Sequence, residues 1–181
     1  MKKVSNKLDE ILSNYCIKGF VVSNISQVHM LQKYSKQYEL IGNYSLNIYN
    51  DYTAKELADL GISCITPSPE LDEDALNSIN SSIDTEYIVY GNIPVMTTNY
   101  CLLSGSNFCL EKCKNNCTNL EQEYYLKDRK NANYRVIPDS FSKTTTIFNS
   151  KKINVSIDEL NVDSVRFDFI DEKIGKIGGH P

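Results

Sequence analysis

The sequence predicts an α/β fold, part of an eightfold (β/α) barrel of the TIM type with about five parallel strands, carrying a cysteine-rich insertion and a β-hairpin. Three observations predict it. Short apolar runs alternate with stretches of helical periodicity over short connections, the pattern of a parallel sheet whose crossovers are helices. No glycine-rich phosphate turn follows an early strand, as an open doubly wound nucleotide-binding sheet would show. Five buried runs in 181 residues fall short of the eight strands and roughly 250 residues of a complete barrel.

Along the chain, Lys7 to Tyr15 places Leu8, Ile11 and Leu12 at helical spacing behind Ser5. Gly19 to Asn24 is an apolar run ending in polar residues, the mark of a strand buried on both faces. Ser26 caps a helix running to Tyr34, with Val28, Met30 and Leu31 as its packing face and His29 solvated. The second strand runs from Glu39 through Asn47, and a helix from Thr53 to Leu60 is closed by Gly61. Ile62 to Thr66 is the third strand, Asp72 to Ile79 a helix, and Tyr87 to Tyr90 the fourth strand. Tyr124 to Leu126 and Tyr134 to Val136 read as a hairpin laid over the parallel sheet and outside it, joined by the polar stretch KDRKNAN. Thr146 to Phe148 and Ile153 to Val155 lead to a short helix at Ile157 to Leu160, and Ser164 to Phe169 is the last buried strand. The glycine-rich tail KIGKIGGHP leaves His180 without a role.

With 41% hydrophobic residues the chain can bury one ordinary core, so the expectation is one incomplete barrel domain over 1–181, with residues 100–150 inserted as the cysteine-rich and hairpin segment. A net charge of -4 gives no basic field for general nucleic-acid binding. The start, MKKVSNKLDEIL, has no apolar run behind its lysines, and no stretch approaches the length of a membrane span. A cytoplasmic protein without a membrane partner is expected, from a bacterium of AT-rich genome given the abundance of Asn, Lys, Ile and Tyr.

Cys101, Cys109, Cys113 and Cys117 crowd four of the six cysteines into one segment, spaced C-x7-C-x3-C-x3-C. On a continuous helix the last three would share a face, yet the outer two would stand roughly 12 Å apart at about 1.5 Å per residue. Convergence on one ion therefore requires an irregular loop, which Gly105 and the Asn115-Asn116 pair favour. Ligation competes with two disulfides and with unligated thiols, and a reducing compartment disfavours the first of these. An iron–sulfur cluster fits better than zinc, because paired C-x2-C knuckles are missing.

The runs GFVVSN, NYSLNIYN, TPSPEL, IVYGNIPVMTTNYC, YYLKDRKNANYRVIPD, IFNS and VRFDF resemble, in this order, the collagenase-like peptidase family of unknown catalytic type. The match extends from Gly19 to Phe169, and YGxxPxM before a cysteine and YYLKDR before IFNS are its specific motifs. The resemblance implies an eight-stranded barrel of which this chain is the second half. It implies peptidase activity, including on collagen, or, as in other relatives, modification of RNA or of a small aromatic molecule with a four-cysteine 4Fe-4S cluster. Cys101, Cys109, Cys113 and Cys117 fall on the family's cysteine segment. Where many relatives carry another cysteine before IFNS, this chain has Ser142.

Barrel enzymes draw reactive groups from the carboxyl ends of strands. On that ground Glu70, rigidified by two prolines, and Asp168 are the candidate catalytic carboxylates, while Asn47 and Arg166 would orient a polar substrate and Arg129 would meet an anionic one. Glu70 as a helix-start carboxylate, Arg166 paired with Asp168, and Arg129 as a solvated turn charge are the structural alternatives. Neither a Ser-His-Asp arrangement nor an HExxH motif is present. Three functions follow: a cluster-dependent modification protein, a metal-dependent endopeptidase acting on peptides, or a non-catalytic remnant. The open sheet edges call for a chain supplying the missing half of the barrel, or for self-association.

Overall fold

The computed structural model describes residues 2–100, 123–139, 142–158 and 160–170. The chain divides into two compact units, one of Met1–Ile88 with Ser156–Arg166, the other of Val89–Val155 with Phe167–Pro181. No helix among the described residues is long and apolar enough to cross a membrane.

In the first unit α1 (Lys2–Asn14) precedes β1 (Gly19–Val22), α2 (Ile25–Leu31), β2 (Glu39–Gly42), α3 (Asp51–Asp59), β3 (Cys64–Ile65) and α4 (Glu73–Asn77). β4 (Asp84–Gly91) and the later β10 (Ser164–Asp168) complete a five-stranded parallel sheet in the order β1-β2-β3-β4-β10. Strands that neighbour each other in the order of the chain make a curled barrel-type sheet; a doubly wound sheet would reverse its order partway. The expected partial TIM-type barrel is therefore the observed fold.

Helix starts follow from side chains that take up unpaired backbone N–H groups. Asn24 caps α2, its Oδ1 accepting from the Gln27 amide at 3.0 Å. The cap expected at Ser26 thus lies two residues earlier, because the apolar run already ends at Val22 and Asn24 takes the extended backbone a cap requires. Asn50 and Asp72 cap α3 and α4 in the same way, at 3.0 and 2.8 Å. Gly61, at φ 91, ends the α3 segment as the sequence indicated. The second strand is shorter than expected: it stops at Gly42, Tyr44–Leu46 form a 3-10 turn, and Asn47 adopts a left-handed conformation at φ 56. That turn drives Ile48 into the core, where it is fully buried with Val22, Val28, Leu40 and Ile65.

The second unit holds a four-stranded antiparallel sheet in the order β5-β8-β7-β6, built from β5 (Pro94–Thr98), β6 (Tyr124–Lys127), β7 (Asn133–Asp139) and β8 (Thr144–Phe148). The expected hairpin is β6–β7, with Tyr124 opposite Val136. Its polar connection closes because Asp128 Oδ1 accepts from the Lys130 and Ala132 amides at 2.7 and 2.8 Å, and Asn131 turns at φ 63. β5 was not foreseen: it opens on proline and is largely exposed, so it lacks the apolar run that marks a buried strand. β9 (Ile153–Asn154) pairs antiparallel with β4. Of the helix expected at Ile157 to Leu160, residue 159 lies outside the described residues; Leu160 N–H donates to Ile157 C=O at 3.2 Å.

Candidate functional site

The parallel pairings Val22↔Gly42, Gly42↔Ile65 and Ile65↔Thr85 put the next residue of each strand, Ser23, Asn43, Thr66 and Glu86, in one row. The ladder runs on into that row, with Asn43 N–H to Val22 C=O at 2.8 Å and Thr66 N–H to Gly42 C=O at 2.7 Å. Side chains in register on adjacent parallel strands face the same way, so the row crosses one face of the sheet, just past the carboxyl ends of β1, β2 and β3 and within the first half of β4. Arg166, from β10, joins it.

Hydrogen bonds connect the row from end to end. The Asn43 amide donates to Ser23 Oγ at 3.2 Å, and Arg166 donates from one guanidinium nitrogen to Asn43 Oδ1 at 3.2 Å. Its other terminal nitrogen donates to Glu86 Oε1 at 3.1 Å, and the same oxygen accepts from Thr66 Oγ1 at 3.0 Å. The Arg166 and Glu86 side chains are half-buried, and Thr66 is fully buried. The guanidinium carbon stands 5.9 Å from the centre of the Tyr44 ring. A charged and hydroxylated row in a sheet otherwise packed with Val, Leu and Ile is costly unless every member is bonded, and here the bonds span all five parallel strands.

Of the residues singled out in the sequence, Arg166 lies in this row. Glu70 is exposed on the loop after β3 and accepts a hydrogen bond from the Tyr49 hydroxyl. Asn47 is exposed at the turn after β2. Asp168 is half-buried at the end of β10, in the second unit, and Arg129 is exposed at the turn of the β6–β7 hairpin. Sequence reasoning missed Ser23, Asn43, Thr66 and above all Glu86. The first three were signalled: each directly follows an apolar run, GFVV-S, ELIG-N and CI-T. Glu86 was hidden inside DTEYIVYG, where the strand begins three residues earlier than its apolar part suggests.

The four clustered cysteines lie outside the described residues. The flank of their segment is described: the buried Thr145 donates from Oγ1 to the carbonyl of Tyr100 at 2.8 Å, pinning to β8 the residue before Cys101. Three positions earlier, Ser142 Oγ donates to Asp139 Oδ2 at 2.6 Å and lies 2.6 Å from Thr144 Oγ1. Among the described residues no group of three or more His, Cys, Asp or Glu side chains is arranged to hold a metal ion.

Burial pushes the Cys64 thiol up to about 11, and the carboxylates of Glu86, Asp84, Asp163 and Glu39 add to the shift. The thiolate is the nucleophile, so Cys64 stays unreactive at neutral pH. Iodoacetamide at pH 8, read by peptide mass spectrometry, should modify the exposed Cys16 at least about tenfold faster than Cys64. Equal rates would contradict this environment. Asp163 is shifted the other way: the Thr85 amide and then the Thr85 hydroxyl donate to its carboxylate at 2.8 and 3.0 Å and hold its pKa below the ordinary value.

The family model described as peptidase family U32 matches residues 1–166. A solved structure described as the U32 peptidase Mk0906 is similar at 21% identity and a TM-score of 0.42, the match covering 50% of this chain and 38% of that one. No curated protein matches. With the family model matched over residues 1–166, nearly its whole length, the chain belongs to peptidase family U32.

Proposed function

We propose that this U32-family chain holds an iron–sulfur cluster through Cys101, Cys109, Cys113 and Cys117 and uses the Arg166–Glu86 row to seat a substrate, RNA or a small aromatic molecule, for modification. The observation that carries the reading is the cysteine segment itself, four thiols that start directly after a backbone position fixed by the buried Thr145. As a donor set, four thiolates fit a 4Fe-4S cluster, with zinc the alternative. When bound, a cluster of this kind supplies one-electron transfer. The rest falls to the chain's own residues: Arg166 and Asn43 orient a polar group over the strand ends, and Thr66 holds the Glu86 carboxylate in place. Thiolate ligation suits a reducing compartment, hence the cytoplasm.

Anaerobic purification tests this. The account expects a brown protein absorbing at about 400 nm with about four iron atoms and four sulfides per chain, and loss of both in Cys113→Ser. A colourless protein with one zinc per chain overturns it and favours a second reading drawn from family membership, metal-dependent peptide hydrolysis. That reading predicts cleavage of a denatured collagen peptide that a chelator abolishes. A partner also belongs to the proposal, because β1 and β10 end the parallel sheet among the described residues. Either a chain completing the barrel or a second copy would pair those edges, and the mass of the particle in solution distinguishes an assembly from a monomer.

A further inference from the structure

Arg166 reaches Glu86 on β4 and Asn43 just after β2, so its guanidinium bridges the strand between them. It does so without being sealed in: the Arg166 and Glu86 side chains retain 21% and 18% of their exposure. We infer that Arg166 is an oxyanion receptor whose resting occupant is the Glu86 carboxylate, and that a ligand bearing a monoanionic two-oxygen group, a carboxylate or a phosphodiester, takes the place of Glu86 on the guanidinium. The planar fork of arginine matches two-oxygen anions, and partial burial strengthens such a bond relative to open water.

The surroundings make the exchange feasible. Glu86 Oε1 already accepts from Thr66 Oγ1 at 3.0 Å, so the displaced carboxylate keeps a donor. On its other side Arg166 keeps Asn43 Oδ1 and the nearby Tyr44 ring, which hold the guanidinium over the strand ends while its partner changes. The inference rests on the reading of the row as a substrate seat and is independent of the cysteine segment. A colourless protein would leave it standing, and a failed anion titration would leave the cluster reading standing.

The test titrates sodium acetate and, separately, dimethyl phosphate at constant ionic strength into the full chain labelled with nitrogen-15. The readout is the side-chain Nε–H resonance of Arg166, assigned by its disappearance in Arg166→Lys. A saturable shift with at least one anion is expected, and the anion that binds more tightly identifies the ligand class as carboxylate or phosphodiester. Glu86→Gln removes the competing charge and should tighten binding about tenfold, whereas Arg166→Lys, which keeps the charge but loses the fork and is followed by the backbone amide resonances around position 166, should weaken it about tenfold. No saturable shift with either anion overturns the inference. So does unchanged affinity in Glu86→Gln, because Glu86 would then not be the occupant.

Discussion

Replacing Gly91 with alanine is expected to destabilise the protein by about 3 kcal/mol or more, the range reached when backbone strain and overpacking combine. Gly91 ends β4 at φ 130, a conformation that L side chains rarely adopt. A Cβ there would stand 2.4 Å from the backbone oxygen of Asp168 and 2.9 Å from its Cβ. The first obstacle is backbone of β10, so relief requires moving a strand. Gly61→Ala is the control: its φ is also positive, at 91, but its added Cβ meets only the Ser35 side chain, at 2.9 Å. That change should cost about 1 kcal/mol, the ordinary penalty for alanine in a glycine conformation. Urea unfolding of the two variants checks the order, and a Gly91→Ala loss no larger than that of Gly61→Ala would contradict the account.

Ile48→Ala should cost about 3 kcal/mol, in the range of large-to-small changes at sites that cannot collapse. Ile48 is fully buried, packed in the cluster of Val22, Leu40, Leu57 and Ile65. It also ties together the loops that flank the strand ends, because its carbonyl accepts from the Ser68 amide at 2.9 Å, linking the loop after β2 to the loop after β3. Those loops carry Tyr49 and Glu70, whose side chains are hydrogen-bonded to each other. The change should lower the urea midpoint with an unaltered slope. A loss below about 1 kcal/mol would mean that the cavity collapses and the loops are held by other contacts.

The parallel sheet was legible because burial on both faces leaves unbroken apolar runs such as YIVY, and because helices capped by Asn50 and Asp72 separate the strands; GFVV, read the same way, leaves Val21 exposed because β1 ends the sheet. The antiparallel sheet was only half legible. β6 and β7 showed as a hairpin through their tyrosines and polar turn, while β5, exposed and opening on Pro94, offered no pattern to read. At the candidate site Arg166 stood out as a charge within an apolar strand. Its partner Glu86 did not, because the register that aligns Glu86 with Thr66 and Asn43 is set by pairings between strands far apart in sequence. Glu70 and Asn47 were legible as loop residues beyond strand ends, but only tertiary structure separates such positions from the row itself. The cysteine segment, prominent in the sequence, lies outside the described residues, with Tyr100 described directly before it.

The thermal midpoint of the double variant Glu86→Leu/Arg166→Met tests most directly whether the row is a functional seat or a structural brace. Half-buried ion pairs kept for function can be exchanged for apolar side chains of similar size without loss of stability. The account predicts a midpoint equal to or above that of the parent chain. A fall of more than about 8 °C, equivalent to roughly 2 kcal/mol or more in a chain of this size, would show that the pair holds the sheet together and would contradict the assignment of the strand ends as the site.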